Sequence, residues 1–272
     1  MRNASNKISL APRSSRIAEI THDYLYVPCH AIGSAANKIS ATGITSTEAT
    51  LVGTNTAALT ANPGYITSPD GTLFAILGGN DTVADHMNLQ TLIGIGGLLI
   101  VVDVEFASNP AANVGIWGHI TSSGATDGVF FGRITTAGQL DCRMQPIGGA
   151  EATIATGTAI TTGVRQQLAW FFDCVNGTVQ MYKNGAPSGS AGVIPLNATL
   201  PKRATVATND YGITFGGKAT SLTTGATIMP TGAKIGNGLV VRFESDKSTT
   251  VPTLLAKMAK AVNEPLPDLA GF

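Results

Sequence analysis

Charge is the scarcest ingredient of this 272-residue chain. Lysine plus arginine number 17 and aspartate plus glutamate 17, together 12% of the residues, where an average soluble protein carries ~25%. The formal net charge is zero. That excludes a general nucleic-acid binder, because no positive surplus is present to neutralise phosphates. Cysteine is equally scarce. Cys29, Cys142 and Cys174 are an odd number with no CxxC pair, which argues against a disulfide scaffold and a zinc site. Three buried thiols in a reducing cytoplasm are the expectation. The longest apolar run, Leu92 to Val102, is broken by three glycines and continues into Asp103, far short of the ~20 residues that span a bilayer. The first residues, MRNASNKISLAPRSSR, lack the apolar core of a secretory signal. The sequons at Asn3, Asn80, Asn176 and Asn197 are therefore expected to carry nothing.

What is present is enough to fold. Hydrophobic residues make up 43% of the chain, which excludes a highly charged disordered polymer. Its 32 glycines show no three-residue period, so it is not a collagen. Arg2, Lys7, Arg13 and Arg16 precede the first acid, Glu19. Residues 1–20 are read as an extended basic arm, either frayed in solvent or ordered on an acidic neighbour. Residues 21–272 are read as one β-sandwich with its core over 60–265, the role of 21–60 being open.

Strand patterns dominate the middle of the chain. LYVPC suits a short strand that Pro28 ends or places at a sheet edge. ATLVG and GYIT read as further strands, and Pro69-Asp70-Gly71 as a turn. Leu98 to Phe106 is apolar and β-branched, then alternates. Val114 to Thr121 should place Val114, Ile116, Gly118 and Ile120 on one face, with Gly115, Trp117, His119 and Thr121 on the other. Gly128–Ile134 and Gln139–Gln145 flank a four-residue loop, TTAG, and form a hairpin. A second hairpin joins Val164–Cys174 to Thr178–Asn184 through VNG. Its second strand breaks alternation at Met181–Tyr182, marking a bulge or a strand end. Tyr211–Gly217 and Lys234–Glu244 are later strands, the last with a glycine kink. Helical spacing returns only at Leu254, Leu255, Met258, Ala261 and Val262, after Pro252 in a first turn and before Pro265. One helix after many short strands predicts an all-β antiparallel sandwich or jelly roll.

The second hairpin carries a resemblance. Trp170, Asp173, Asn176, Gly177, Val179, Met181, Tyr182, Asn184 and Gly185 match a pattern of laminin-G-like and concanavalin A-like jelly rolls. In that pattern an aromatic strand with a following Asp turns through Asn-Gly into a strand ending Tyr-x-Asn-Gly. GYITSPDGTLFAI, LLIVVDVEF and GNGLVVRFESDKST resemble the family's flanking strands. The resemblance covers residues 60–265 and implies that Leu168, Trp170 and Phe172 face the core.

The same fold hosts glucanases, whose catalytic strand carries Glu-x-Asp-x-Glu. The matching text here is Val101-Val102-Asp103-Val104-Glu105, with valine where the nucleophile should stand. Retaining hydrolysis needs two carboxylates in defined roles, so the expectation is that the chain is not an enzyme and that Asp103 and Glu105 form a polar strand face. His22, His30, His86 and His119 show no metal-site or paired spacing. Asp81 and Asp85 offer oxygens to calcium, which relatives of this kind bind, but without an EF-hand spacing; no cofactor is expected. Gly94-x-Gly96-Gly97 precedes a strand instead of opening a helix and fails the test for a phosphate loop. Trp117 with His119 is the candidate for stacking a sugar, the alternative being a place in the core.

A surface this poor in charge is covered by short Thr, Ser, Asn, Gly and Ala side chains, which lose little freedom when another protein covers them. The expectation is a non-enzymatic structural component of a bacteriophage virion: capsid decoration, tail or fibre. It would be made in the host cytoplasm, form a homo-oligomer and contact other virion proteins through Arg2, Lys7, Arg13 and Arg16. The alternative is a carbohydrate-binding, host-recognition module on a tail or fibre, with a host surface glycan as partner. Neither nucleic acid nor a membrane span enters either reading.

Overall fold

The β-branched and aromatic runs become strands, and glycines with positive φ turn most of the corners between them. The structure, a computed structural model, describes residues 23–28, 38–39, 42–43, 49–52, 65–68, 71–72, 74–77, 85–119, 128–202, 204–206, 209–219 and 225–260. In chain order the first strands are β1 (Asp23–Pro28), β2 (Lys38–Ile39), β3 (Thr42–Gly43), β4 (Ala49–Val52), β5 (Ile66–Thr67) and β6 (Phe74–Leu77). The long strands come next: β7 (Gly97–Glu105), β8 (Val114–His119), β9 (Val129–Ile134), β10 (Gln139–Gln145), β11 (Ala152–Ala159), β12 (Gln166–Asp173) and β13 (Thr178–Lys183). After them stand β14 (Ala186–Pro187), β15 (Gly192–Val193), β16 (Ala204–Val206), β17 (Asn209–Tyr211) and β18 (Ile213–Phe215). The last are β19 (Lys218–Ala219), β20 (Gly225–Ala226), β21 (Lys234–Phe243) and a helix, α1 (Val251–Lys260).

These strands build the expected all-β sandwich of two antiparallel sheets, apart from β16–β17 and β19–β20, which pair as two separate two-stranded ribbons. One runs β14-β13-β12-β7-β21-β1-β3, with β15 also on β13 and β5 on β21; the other runs β11-β10-β9-β8-β18-β6-β4-β2. Strands before residue 60 therefore enter both sheets. Pro28 ends β1, which lies between β21 and β3 and not at an edge. Among the described residues no helix is long and apolar enough to cross a membrane.

The main core lies between the sheets. Leu168, Trp170 and Phe172 of β12 face Trp117, Phe130 and Phe215 there, all essentially inaccessible to solvent. Trp117 sits edge-on to Phe130, Trp170 and Phe172, with centroids 5.5–5.8 Å apart, the geometry that aromatic quadrupoles favour. The β12–β13 hairpin is closed by Asp173. Its Oδ1 accepts from the Val175 and Asn176 amides at 3.0 and 2.9 Å, its Oδ2 from Asn176 Nδ2 at 2.7 Å, and Gly177 takes φ 68°. Register along this hairpin is unbroken. The break in alternation at Met181–Tyr182 is thus no bulge: Lys183 ends the strand and Tyr182 faces the opposite side.

That opposite side is a second core. Leu99, Val101, Ala169, Phe171, Leu239 and Val241 share it with Val251, Leu254, Leu255 and Met258 of α1. All eight residues of β12 are buried; the inward row meets the partner sheet, and Ala169 and Phe171 of the outward row meet the helix. Gly185 lets α1 approach, since a Cβ there would stand 2.7 Å from Ala256 Cα.

The predicted faces of β8 need correction. Pairing with β9 slips between Gly115 and Trp117, so Ile116 is an extra, bulged residue. A bulge of this kind re-aims the side chains beyond it. Trp117 therefore enters the core, and His119 stacks on Phe130 at 5.2 Å. Both are fully buried. Neither presents a surface to a sugar, which corrects the expectation that they form a glycan platform.

Candidate functional site

The outer face of the β12-β7-β21 sheet divides in two. Where α1 covers it, the strands carry apolar residues. Beyond the helix the same alternating positions turn polar. Along β7 the outward row reads Leu99, Val101, Asp103, Glu105, the first two in the helix-covered core. Val101, the position a glucanase would give its nucleophile, therefore lies under the helix.

Strand register gathers the polar residues into two rows. In the first, Lys234 pairs with Glu105 across β21 and β7, and Arg165 precedes β12 on the other flank. In the second, Asp103 stands opposite Gln167, whose backbone N–H donates to Asn184 Oδ1 at 2.9 Å. The register shift in β21 between Ile235 and Gly238 brings Asn237 alongside, its Nδ2 donating to Asp103 Oδ2 at 3.4 Å. Gly238 is required just there, because a Cβ would enter the ring of Phe215 from the other sheet.

Two ion pairs frame the patch. Arg165 Nη2 donates to Asp103 Oδ2 at 3.0 Å and Lys234 Nζ to Glu105 Oε1 at 2.7 Å. Lys234 Nζ also lies 4.9 Å from the centre of the half-buried Tyr65 ring. The Glu105 carboxylate, hydrogen-bonded to it, holds the Lys234 ammonium above its ordinary value. Between the pairs is a shallow depression, open to solvent, lined by Tyr65, Asp103, Glu105, Arg165 and Lys234. Gln166 fixes the turn that delivers Arg165: its Oε1 accepts from the Thr161 amide at 2.8 Å and its Nε2 donates to the Thr161 carbonyl at 2.6 Å.

Within the patch two buried polar atoms, Arg165 Nε and Gln167 Oε1, make no hydrogen bond. Such an orphan group costs ~1–3 kcal/mol, so native folds keep few of them and those few call for a reason. One is a donor and the other an acceptor.

A second, shallow concavity open to solvent lies beside β11, lined by Thr153, Ile154, Thr156, Ser190, Ala191 and Gly192. It holds no charged group. Its wall is the segment 188–192, which closes the free edge of β11: the Thr158 amide donates to Ser188 Oγ at 2.9 Å, and Gly192 packs on the Ile154 carbonyl.

Of the residues singled out from the sequence, Asp103 and Glu105 fall in the candidate site. Arg2, Lys7, Arg13 and Arg16 lie outside the described residues, as do Cys29, His22, His30 and Asp81; Asp85 is exposed. Among the described residues no three His, Cys, Asp or Glu side chains group to hold a metal ion. Cys142 and Cys174 are buried free thiols, and burial pushes Cys174 up to about 12. Tyr65, Arg165, Gln167, Lys234 and Asn237 were missed. The signal for them was a polar beginning to otherwise apolar strands, as in Arg165-Gln166-Gln167 and Lys234.

No family model matches the chain, and no curated protein matches it. Solved structures do. The sialidase of Trypanosoma rangeli with sialic acid bound superposes with a TM-score of 0.55 at 14% identity, over 86% of this chain and 32% of that one. A receptor-binding domain superposes with a TM-score of 0.56 at 11% identity, over 90% of this chain and 52% of its own. The fold is a concanavalin-like β-sandwich. At such identities the likeness shows fold alone, and the chain spans about a third of the length of the sialidase. It does overturn one expectation. About a third of the sialidase chain has this fold, so valine at the glucanase nucleophile position is no ground for excluding an enzyme, although no activity is thereby established.

Proposed function

We propose that this chain is a recognition module that binds carbohydrate through the polar half of its outer sheet face. The observation that carries the reading is the set of donors and acceptors that the Arg165–Asp103 and Lys234–Glu105 pairs hold side by side on one sheet face, next to Tyr65. Planar polar side chains fixed on strands, next to one aromatic ring, are what a sugar needs: hydrogen bonds set its orientation and the ring packs against its apolar face. Strands hold these groups more rigidly than loops do. Two proteins of the same fold, the receptor-binding domain and the sialic-acid-bound sialidase, support the analogy. The test is binding of the full chain to immobilised glycans. Saturable binding is expected; no binding to any glycan contradicts the reading.

The low charge favours a setting for this module. With only 34 charged residues in 272, its skin suits dense contact with neighbours, where each desolvated charge would be costly. The module is carried on a bacteriophage particle, as part of a tail, fibre or capsid decoration, and Arg2, Lys7, Arg13 and Arg16 attach it to other virion proteins. Mass analysis of purified particles tests this, and absence of the chain from them would end it.

A further inference from the structure

We infer that the ligand of this patch is a neutral, polyhydroxylated ring, an uncharged sugar, and not an acidic one. The inference rests on the carbohydrate reading above and narrows it.

Each cation at the site is already neutralised by a carboxylate of the same patch. Arg165 Nη2 lies 3.0 Å from Asp103 and Lys234 Nζ 2.7 Å from Glu105. An anionic ligand would have to take a cation from its carboxylate, and that carboxylate would then face the ligand's own charge across a short distance. Like charges so placed repel, and the more strongly as water is excluded. Among the described residues the patch offers two positive and two negative groups, so they draw in neither sign.

The arrangement suits hydroxyls instead. Fixed donors and fixed acceptors alternate across the strands: Lys234, Glu105 and Arg165 in one row, Asn237, Asp103 and Gln167 in the next. A hydroxyl donates and accepts at once. It can therefore answer the donors and the acceptors of both rows at once, where a carboxylate answers only the donors. The four charged side chains keep 10–30% of their surface exposed. They stay within reach of a ligand while their stems remain packed.

The experiment is a glycan array probed with the full chain, carrying uncharged oligosaccharides of hexoses and N-acetylhexosamines beside sialylated and uronate-containing ones. Uncharged glycans should bind. Glu105→Gln and Asp103→Asn, which keep shape but remove the charged acceptors, should each weaken that binding about tenfold. Glu105 is partly exposed, so Glu105→Gln should melt with the parent, and it carries the test if Asp103→Asn does not fold. Preferential binding of acidic glycans overturns this inference and leaves the carbohydrate reading standing. Uncharged binding that neither folded variant weakens also overturns it. Binding of nothing overturns the carbohydrate reading itself.

Discussion

Gly132 has no side chain because two indoles occupy its place. A Cβ built there would collide with Trp117 Nε1 and stand 2.6–2.7 Å from the Trp170 ring. Gly132→Ala should therefore destabilise the sandwich by about 1–3 kcal/mol, the usual cost of overpacking a filled core, read as a lowered urea midpoint. An unchanged midpoint would mean that the indoles are not packed as described. The buried histidines make a second residue-scale prediction. Desolvation lowers His86 to about 3, helped by the Arg242 charge, and lowers His119 to about 4, in each case from 6.5. Both nitrogens of His119 and Nε2 of His86 make no hydrogen bond. The unfolded chain therefore binds protons that the folded one refuses, and stability falls as pH drops below 6.5, levelling off near 4 for His119 and near 3 for His86. The His119 part alone is on the order of 3 kcal/mol. Urea midpoints from pH 7 to pH 4 should fall less steeply in His119→Phe than in the parent; equal slopes would refute the assignment.

At the scale of elements, α1 decides the character of the outer sheet face. Its Leu254, Leu255 and Met258 are buried against Val101, Phe171 and Leu239. Leu255→Ala should cost about 2–5 kcal/mol, as truncation of a buried leucine does, and should raise binding of a hydrophobic dye by baring the second core. A variant as stable as the parent would show that the helix is not docked. This layer was half legible in the sequence. The helix could be read from Pro252 and the spacing of Leu254, Leu255 and Met258, and the strands from their β-branched runs. Leu98 to Val102 and Leu168 to Phe172 run apolar without alternation, the mark of strands buried on both faces. The break at Tyr182 was the same signal. The β8 bulge left no such trace: one extra residue flips Trp117 and His119 inward, and alternation read along one strand cannot see a slip set by its neighbour.

The whole molecule brings together what the chain keeps apart. Asp103 and Glu105 stood out as carboxylates two residues apart, but Arg165 and Lys234 lie 62 and 129 positions from their partners. Only the register of β21, β7 and β12 sets them side by side. The hairpin resemblance was sufficient for the sandwich because it rests on local chemistry: Asp173 and Gly177 close their turn with bonds and a backbone angle of their own segment. The patch rests on long-range pairing and had no local signature. If the basic N-terminal residues serve attachment, a chain lacking residues 1–16 should melt as the parent does and yet enter particles poorly; loss of folding would place them in the core instead.

The most direct test is a crystal structure of the full chain soaked with an uncharged oligosaccharide. The account predicts a sugar ring seated between the Asp103–Arg165 and Glu105–Lys234 pairs, its hydroxyls hydrogen-bonded to them. A sugar seated instead in the groove beside Thr153 and Ser190, or this patch left empty at saturating ligand, would contradict it.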